Sequence, residues 1–315
     1  MKNYTIKPYE TQDYPLWNSF IERANNSSFL FHRDFMEYHS DRFVDFSLVV
    51  LDDEKWVAVF PANRVGYELH SHQGLTYGGL VFENSINGEI AEAVLQSLFH
   101  YLRDCKIQSF QIKLTPWFYF KDPSFEMDYF LFKNQAQLYF RYMNLAIDYS
   151  KPLQISKSKL KHFRRISNLD IEIIEEKDCT SFWNQILIPR LHEKHQVAPV
   201  HNVDEINSLK SKFPNNIRQF NAYFEGEIVA GITLFCSKLV VKSQYGATSE
   251  KGEKIRALDF LFINLIHQFA DEVRFFDMGT VNDNSKNGYN KGLLKQKEEL
   301  GCKIVVQDCY KINLG

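Results

Sequence analysis

The sequence predicts an α/β protein built as two successive halves of the same kind, and three observations carry that prediction. Residues 240–280 run as strand, polar break, helix and strand, a βαβ-like unit. The order helix pair, strand meander, helix, strand occurs once before residue 150 and once after it, without a residue-level repeat. Between these halves, residues 151–168 hold Lys151, Lys157, Lys159, Lys161, Arg164 and Arg165 with no acid among them. This change of charge texture places a boundary near residue 150, giving domains 1–150 and 151–315.

In the first half, residues 15–25 and 31–43 have helical spacing of apolar side chains. SLVVLDD and KWVAVFPANRV then alternate as paired strands around the polar turn Asp52-Asp53-Glu54. Residues 70–82, HSHQGLTYGGLVF, are glycine-rich irregular chain. Residues 89–104 form an amphipathic helix (Ile90, Ala93, Val94, Leu98, Leu102), SFQIKLTP follows as a strand, and another strand ends the half. In the second half IEIIEE is a strand, residues 181–195 and 203–213 are helices, and residues 217–247 make a meander with a tight turn at Glu225-Gly226. Residues 248–256 read as a charged, glycine-bearing loop. Residues 257–270 read as a helix with Leu258, Leu261, Phe262, Leu265, Ile266 and Phe269 on its apolar face, VRFFDMGT as a strand, residues 290–300 as the last helix, and KIVVQDCYKINL as the closing strand.

A chain of 315 residues that is 44% hydrophobic can fill two ordinary cores, which excludes a disordered protein. The 27 Phe and 16 Tyr supply that filling but name no ligand. A net charge of −2 gives no global attraction to nucleic acid or an anionic membrane, so any polyanion must be met by a local patch. Cys105, Cys179, Cys236, Cys302 and Cys309 are scattered without a CxxC pair, against a zinc module or a disulfide framework. No apolar run approaches membrane-span length and the amino terminus has no signal-peptide core, so the expectation is a cytoplasmic protein without an integral membrane segment, with peripheral contact open.

The helix expected at 257 aims its first N–H groups and its positive dipole end at whatever lies in the preceding loop; a pyrophosphate fits there, and an ordinary βαβ crossover explains the pattern equally. DMGTVNDNSKNGYNKG follows a buried-looking strand, where open α/β sheets place ligands, and makes Asp277, Thr280, Asn282 and Asn290 acceptor-site candidates. Helix capping is the alternative for Asn290. Lys297 and Glu298 read as a solvent-facing salt bridge. His192, His195 and His201 cluster, but HEKH lacks the spacing of a zinc-protease helix, so no metal is expected.

The blocks SHQGLTYGGLVF, LIPRLHEKHQVAPVH, FPNNIRQFNAYFEGEIVAG, QYGATSEKGEKIRALDFLF and FFDMGT…NKGLLKQKEELG together span both halves. In these the chain resembles the FemAB-like branch of the GNAT acyltransferase superfamily, with two tandem GNAT-like domains of mixed, mostly antiparallel sheets flanked by helices. It departs from that pattern in carrying Lys242 where relatives have a His before the QY dipeptide, in offering only Arg256 and Ala257 for a phosphate-loop run, and in lacking a long helical arm.

The resemblance implies an enzyme that transfers an acyl group from acyl-CoA to the amine of a cell-envelope, sugar or lipid precursor. The alternatives are an aminoacyl-tRNA-dependent peptidoglycan bridge transferase and a non-catalytic envelope-precursor binding module. It implies a donor cradle from the backbone of Lys254, Ile255, Arg256 and Ala257; Gln244 and Tyr245, with Gly246, at the reacting carbonyl; Tyr289 as the leaving-group acid; and Asp277 in the reacting cleft. His195 or His201 would serve as base or acceptor contact. His72, Gln73 and Tyr77, beside Gly78 and Gly79, would make the first domain an acceptor-side wall, the second binding donor and doing the chemistry. Lys159, Arg164 and Arg165, with Lys161, would grip the phosphates of a nucleotide- or lipid-linked acceptor, or of tRNA. No DNA partner and no metal are implied.

Overall fold

Short β-branched runs closed by tight turns build the first sheet. The computed structural model describes residues 2–83 and 87–315, and the chain divides into two compact units, residues 1–142 with 306–315, and residues 143–305. In the first unit β1 (Thr5–Pro8) precedes the helix α1 (Tyr14–Arg23). The expected helix at 31–43 is instead a series of short pieces: His32, with an extended backbone, separates the turn at Phe29–Phe31 from α2 (Arg33–Met36), which tightens into another turn at Glu37–His39. The strands β2 (Val44–Asp45), β3 (Leu48–Asp52) and β4 (Lys55–Phe60) follow, with Asp53 taking a left-handed φ of 52° in the β3–β4 turn, as the Asp-Asp-Glu sequence favours. Next come β5 (Asn63–Val65), β6 (Glu68–His70), β7 (Val81–Phe82), α3 (Gly88–Asp104), β8 (Ser109–Lys113) and α4 (Glu126–Lys133).

One sheet of this unit has the order β1-β3-β4-β7; in another, β2 pairs with β5, β5 with β6, and β6 runs parallel to β8. Leu95, Leu98 and Leu102 of α3 enter the core formed by Val50, Phe60 and Phe110. At roughly 1.5–3 kcal/mol for each large apolar side chain withdrawn from water, this heptad-like face is what fixes α3 on the sheet.

The strand β9 (Gln137–Asp148) leads into the second unit. There α5 (Lys157–Ile166), β10 (Ile171–Glu176), α6 (Thr180–Phe182), a π-helical turn at Trp183–Leu187, α7 (Ile188–His195) and α8 (Val203–Lys212) precede the meander β11 (Ile217–Phe224), β12 (Glu227–Cys236) and β13 (Val240–Thr248). These strands lie in the order β10-β11-β12-β13, all antiparallel. After α9 (Glu250–Ile255) and α10 (Ala257–Gln268), β14 (Phe275–Thr280) joins β13 in parallel and residues 144–148 of β9 antiparallel. Leu261, Leu265 and Ile266 of α10 pack with Val241 and Phe276, while Phe182 lies so close to Gly231 on β12 that a Cβ there would sit 2.1 Å from its ring. The sheet is therefore sandwiched between α10 and the α6–α7 segment.

The chain ends with α11 (Lys291–Glu299) and β15 (Lys303–Asn313). The expected division at 150 gave the whole carboxyl terminus to the second half. Residues 306–315 instead group with the first unit, because Cys309–Asn313 pair antiparallel with β8. Among the described residues, no helix is long and apolar enough to cross a membrane.

Candidate functional site

The parallel ladder between β13 and β14 is only three residues long. Val240, Val241 and Lys242 face Phe275, Phe276 and Asp277, and beyond Lys242 the strands part, while β13 stays paired with β12 to Thr248. Among the described residues, the edge of β13 turned toward β14 thus carries no strand partner from Ser243 onward. The ladder to β12 slips in the same place: Leu234 faces Ser243 and Thr233 faces Tyr245, which leaves Gln244 bulged. The Gln244 Oε1 is buried without a hydrogen-bond partner among the described residues. Gly246 is exposed, and a Cβ on it would meet Phe262 and Ile232 at 3.4 Å or more, so nothing crowds the backbone here.

At the point of parting lies a buried charge cluster. Lys242 is 8% exposed and Asp277 2% exposed; the Lys242 ammonium donates to Asp277 Oδ2 at 3.2 Å, and the Gly279 N–H donates to Asp277 Oδ1 at 2.7 Å. Gly279 takes a left-handed φ of 71°, and a Cβ on it would stand 3.0 Å from the Lys242 Nζ. The turn at Gly279 brings its carbonyl and that of Thr280 to Lys297 of α11, whose ammonium donates to them at 3.2 and 2.8 Å. Lys297 is only 6% exposed, and burial first, then the Lys242 charge, lowers its pKa to about 8. The expected solvent-facing salt bridge at Lys297 is therefore wrong. The sequence signal was weak: only the apolar Leu293, Leu294 and Leu300 around it show that this stretch of α11 is a buried face.

Farther along β13, Tyr245 pairs with His201. The tyrosine hydroxyl lies 2.7 Å from His201 Nδ1, its ring packs edge-on to Trp183 at 5.0 Å, and burial raises its pKa to about 12. His201 is buried next to the amino end of α8, which Asn202 caps by accepting from the Glu205 N–H. Behind Tyr245, on the same face, runs a buried polar chain. Thr233 Oγ1 donates to Gln219 Oε1 (2.6 Å), Gln219 Nε2 donates to Asn221 Oδ1 (2.8 Å), and Tyr223 and Asn221 both donate to Glu176. Tyr223 also borders an open groove of about 690 Å³, together with Ser181, Gln185, Glu227 and Lys254.

The loop expected at 248–256 is mostly the helix α9, so the amides of Lys254, Ile255 and Arg256 bond back along it and do not form a phosphate cradle. Ser249 caps α9 by accepting from the Gly252 N–H, and α9 lies so close to β12 that a Cβ on Gly252 would be 2.0 Å from the Val229 carbonyl oxygen. Arg256, at φ 60°, ends α9 and begins α10. Ala257 is fully buried at that junction, and Asp259 brings a carboxylate into the first turn of α10.

Asp259 is paired with Lys159 and accepts from Gln296 Nε2 at 3.1 Å. Lys159, expected to grip phosphate, is thus buried in an ion pair, whereas Arg164 and Arg165 on the same helix are exposed. His162 is held below its usual pKa by desolvation first and then by Arg256, Arg165 and Lys161, which shows these cations clustered around it.

The remaining candidates have structural partners. Asn290 caps α11 by accepting from the Leu293 N–H (2.9 Å); Asn282 accepts from the Met143 N–H (2.7 Å) and from the Thr280 hydroxyl (2.7 Å). Tyr289 is half-buried against the core, and its backbone bridges Asn282. His192 is exposed on α7, and the side chain of His195 lies outside the described residues. In the first unit Tyr77 is buried with its hydroxyl 3.0 Å from Ser28, His72 is buried in a stack on His39, and Gln73 is tied to Asn63 by two hydrogen bonds. His72 and Tyr77 are core side chains, not an open acceptor wall.

The fold of this chain recurs in solved structures. The crystal structure of FemX superposes with a TM-score of 0.68 at 12% identity, covering 96% of each chain. The chain has a FemAB-like, tandem GNAT-like fold. L-PGS from Bacillus licheniformis matches at TM-score 0.59 and 17% identity over 98% of this chain and 92% of its own, and a tandem GNAT protein from the clavulanic acid biosynthesis pathway at 0.56 and 9% over 99% of both. No protein-family model and no curated protein matches the sequence. The FemAB-like fold of this chain is mixed α/β with mostly antiparallel sheets, as the sequence predicts.

Proposed function

We propose that the protein is an acyltransferase of the FemAB-like kind, moving an acyl group from a thioester carrier such as acyl-CoA to the amine of a cell-envelope, sugar or lipid precursor. The single observation that carries this reading is the splay after Lys242. An open strand edge with a bulged Gln244 and an exposed Gly246 offers backbone N–H and C=O groups to an extended acyl carrier, and one of those N–H groups can donate to the reacting carbonyl oxygen. In the reaction the amine nitrogen adds to the carbonyl carbon, the tetrahedral oxyanion collapses, the carbon–sulfur bond breaks, and the thiolate leaves as the nitrogen loses its proton. No covalent enzyme intermediate is needed: burial raises the pKa of Cys179 and Cys236 to about 12, which keeps both as thiols.

Lys297 is the group suited to proton transfer. With a pKa of about 8 it exists in both forms near neutral pH, and it is anchored to the end of β14 where the strands part. Asp277 is engaged by Lys242 and the Gly279 amide and serves to hold the turn beside Lys297.

A second donor reading, aminoacyl-tRNA, is favoured by one observation: the α9 amides are engaged, while Arg165, Lys161 and Arg256 all act on His162. A structural neighbour named as a putative lysylphosphatidylglycerol synthetase, at TM-score 0.63 and 11% identity, suits this reading with a lipid acceptor. The test is to supply the purified protein with a set of acyl-CoAs and of aminoacyl-tRNAs plus candidate amines, and to follow carrier release. Release with one carrier class selects that donor. No release with either, combined with tight binding of an envelope precursor, would overturn the enzyme reading in favour of a binding module.

A further inference from the structure

We infer that Lys242 is a positioning residue for Lys297, acting through Asp277 and the turn at Gly279. Lys242 and Asp277 are register partners on the last rung of the β13–β14 ladder, so their ion pair closes the ladder at the residue where the strands separate. One carboxylate then does two things: Oδ2 holds the Lys242 ammonium, and Oδ1 holds the Gly279 amide. The same Gly279, turned over at φ 71°, gives its carbonyl to Lys297. Lys242 thus fills the space beside Gly279 in which a side chain would otherwise lie, and it is linked to Lys297 by three hydrogen bonds that pass through the Asp277 carboxylate and Gly279.

The charges do not balance inside the cluster. Two ammonium groups share one buried carboxylate, so with both lysines protonated one positive charge is in excess away from water. The ionisable groups acting on Lys297 are Lys242 from β13, Asp277 from β14 and Cys302 beyond α11; Asp259 and Glu299 are engaged by Lys159. Asp277 is closest to Lys242, so it is Lys297 that yields its proton. Lys242 therefore works twice, holding the carbonyl that orients Lys297 and keeping the Lys297 amine available as a base at neutral pH. This deepens the acyl-transfer reading and takes its catalytic meaning from it, but it is measured without any acyl carrier.

The experiment is a pH titration of the lysine ε-carbons by NMR in carbon-13-lysine protein, with Lys297→Arg assigning the resonance. In the unaltered protein Lys297 is expected to titrate near pH 8. In Lys242→Met and in Lys242→Gln, which keeps a donor for Asp277, the midpoint is expected to move up by about one pH unit or more; in Lys242→Arg it stays. If neutral substitution leaves the midpoint in place, or if Lys297 of the unaltered protein titrates with the ordinary lysines, the inference fails. The unaltered protein alone decides the second point, so misfolding of a variant does not shield it. Should the midpoints move as expected while no carrier supports turnover, the acyl-transfer reading fails and the Lys242–Lys297 linkage stands.

Discussion

Acidification should open the first unit through one histidine. His72 is 5% exposed, stacks on His39 with ring centroids 4.9 Å apart, and its Nδ1 is buried without a partner among the described residues. Desolvation first, then the charge of His39, lowers its pKa from 6.5 to about 3. A histidine depressed on folding contributes stability that is complete above 6.5 and is lost as pH falls from 6.5 toward 3, because the unfolded chain binds the proton first. The whole gap, at about 1.4 kcal/mol per pH unit, is on the order of 5 kcal/mol, and about 2 kcal/mol of it is already lost at pH 5. Against a usual domain stability of roughly 5–15 kcal/mol this is decisive.

The assay is urea unfolding at pH 8 and pH 5 followed by tryptophan fluorescence in a Trp183→Phe background, where Trp17, Trp56 and Trp117 report on the first unit. His72→Asn is the comparison, since asparagine tolerates the left-handed φ of 62° at this position and carries no proton. The native form should lose about 2 kcal/mol more than His72→Asn between the two pH values. Equal losses would refute the assignment of the acid sensitivity to this ring.

Other substitutions probe the second unit. Gly252→Ala should destabilise it by about 3 kcal/mol, because the new Cβ meets the Val229 carbonyl, which belongs to rigid backbone; thermal unfolding checks this. Asn290→Ala should cost about 1 kcal/mol through loss of the α11 cap, read in the same experiment. Lys297→Met should lower kcat/KM about 10²-fold or more in whichever carrier assay gives turnover, with circular dichroism showing the fold intact; full activity would remove Lys297 from the proton transfer. Arg164→Glu with Arg165→Glu should weaken tRNA binding and flatten its salt dependence if the donor is carried on RNA, and should leave acyl-CoA turnover unchanged if it is not.

The fold class and most elements are written in local pattern. Residues 89–104 and 257–270 alternate apolar and polar side chains at helical spacing, and β11 to β13 are β-branched runs with turn residues between them, so short-range periodicity suffices to locate them. Local pattern singled out Asp277 and His201, and the resemblance added Gln244 and Tyr245; all four lie along or beside β13.

What only tertiary structure decided is which polar side chains lose their water. Lys159 and Lys297 look like solvated helix lysines from their neighbours in sequence, yet one is buried on Asp259 from a helix one hundred residues away and the other on the carbonyls that end β14. A glycine-bearing charged stretch reads as a loop until β12 comes within contact of Gly252 and α9 closes around the Ser249 cap. Likewise His72 and Tyr77 sit in a glycine-rich run that suggests a cleft, and packing against His39 and Ser28 makes them core. Periodicity reports the face a residue takes on its own element, but burial and pKa depend on what the rest of the chain brings to that face.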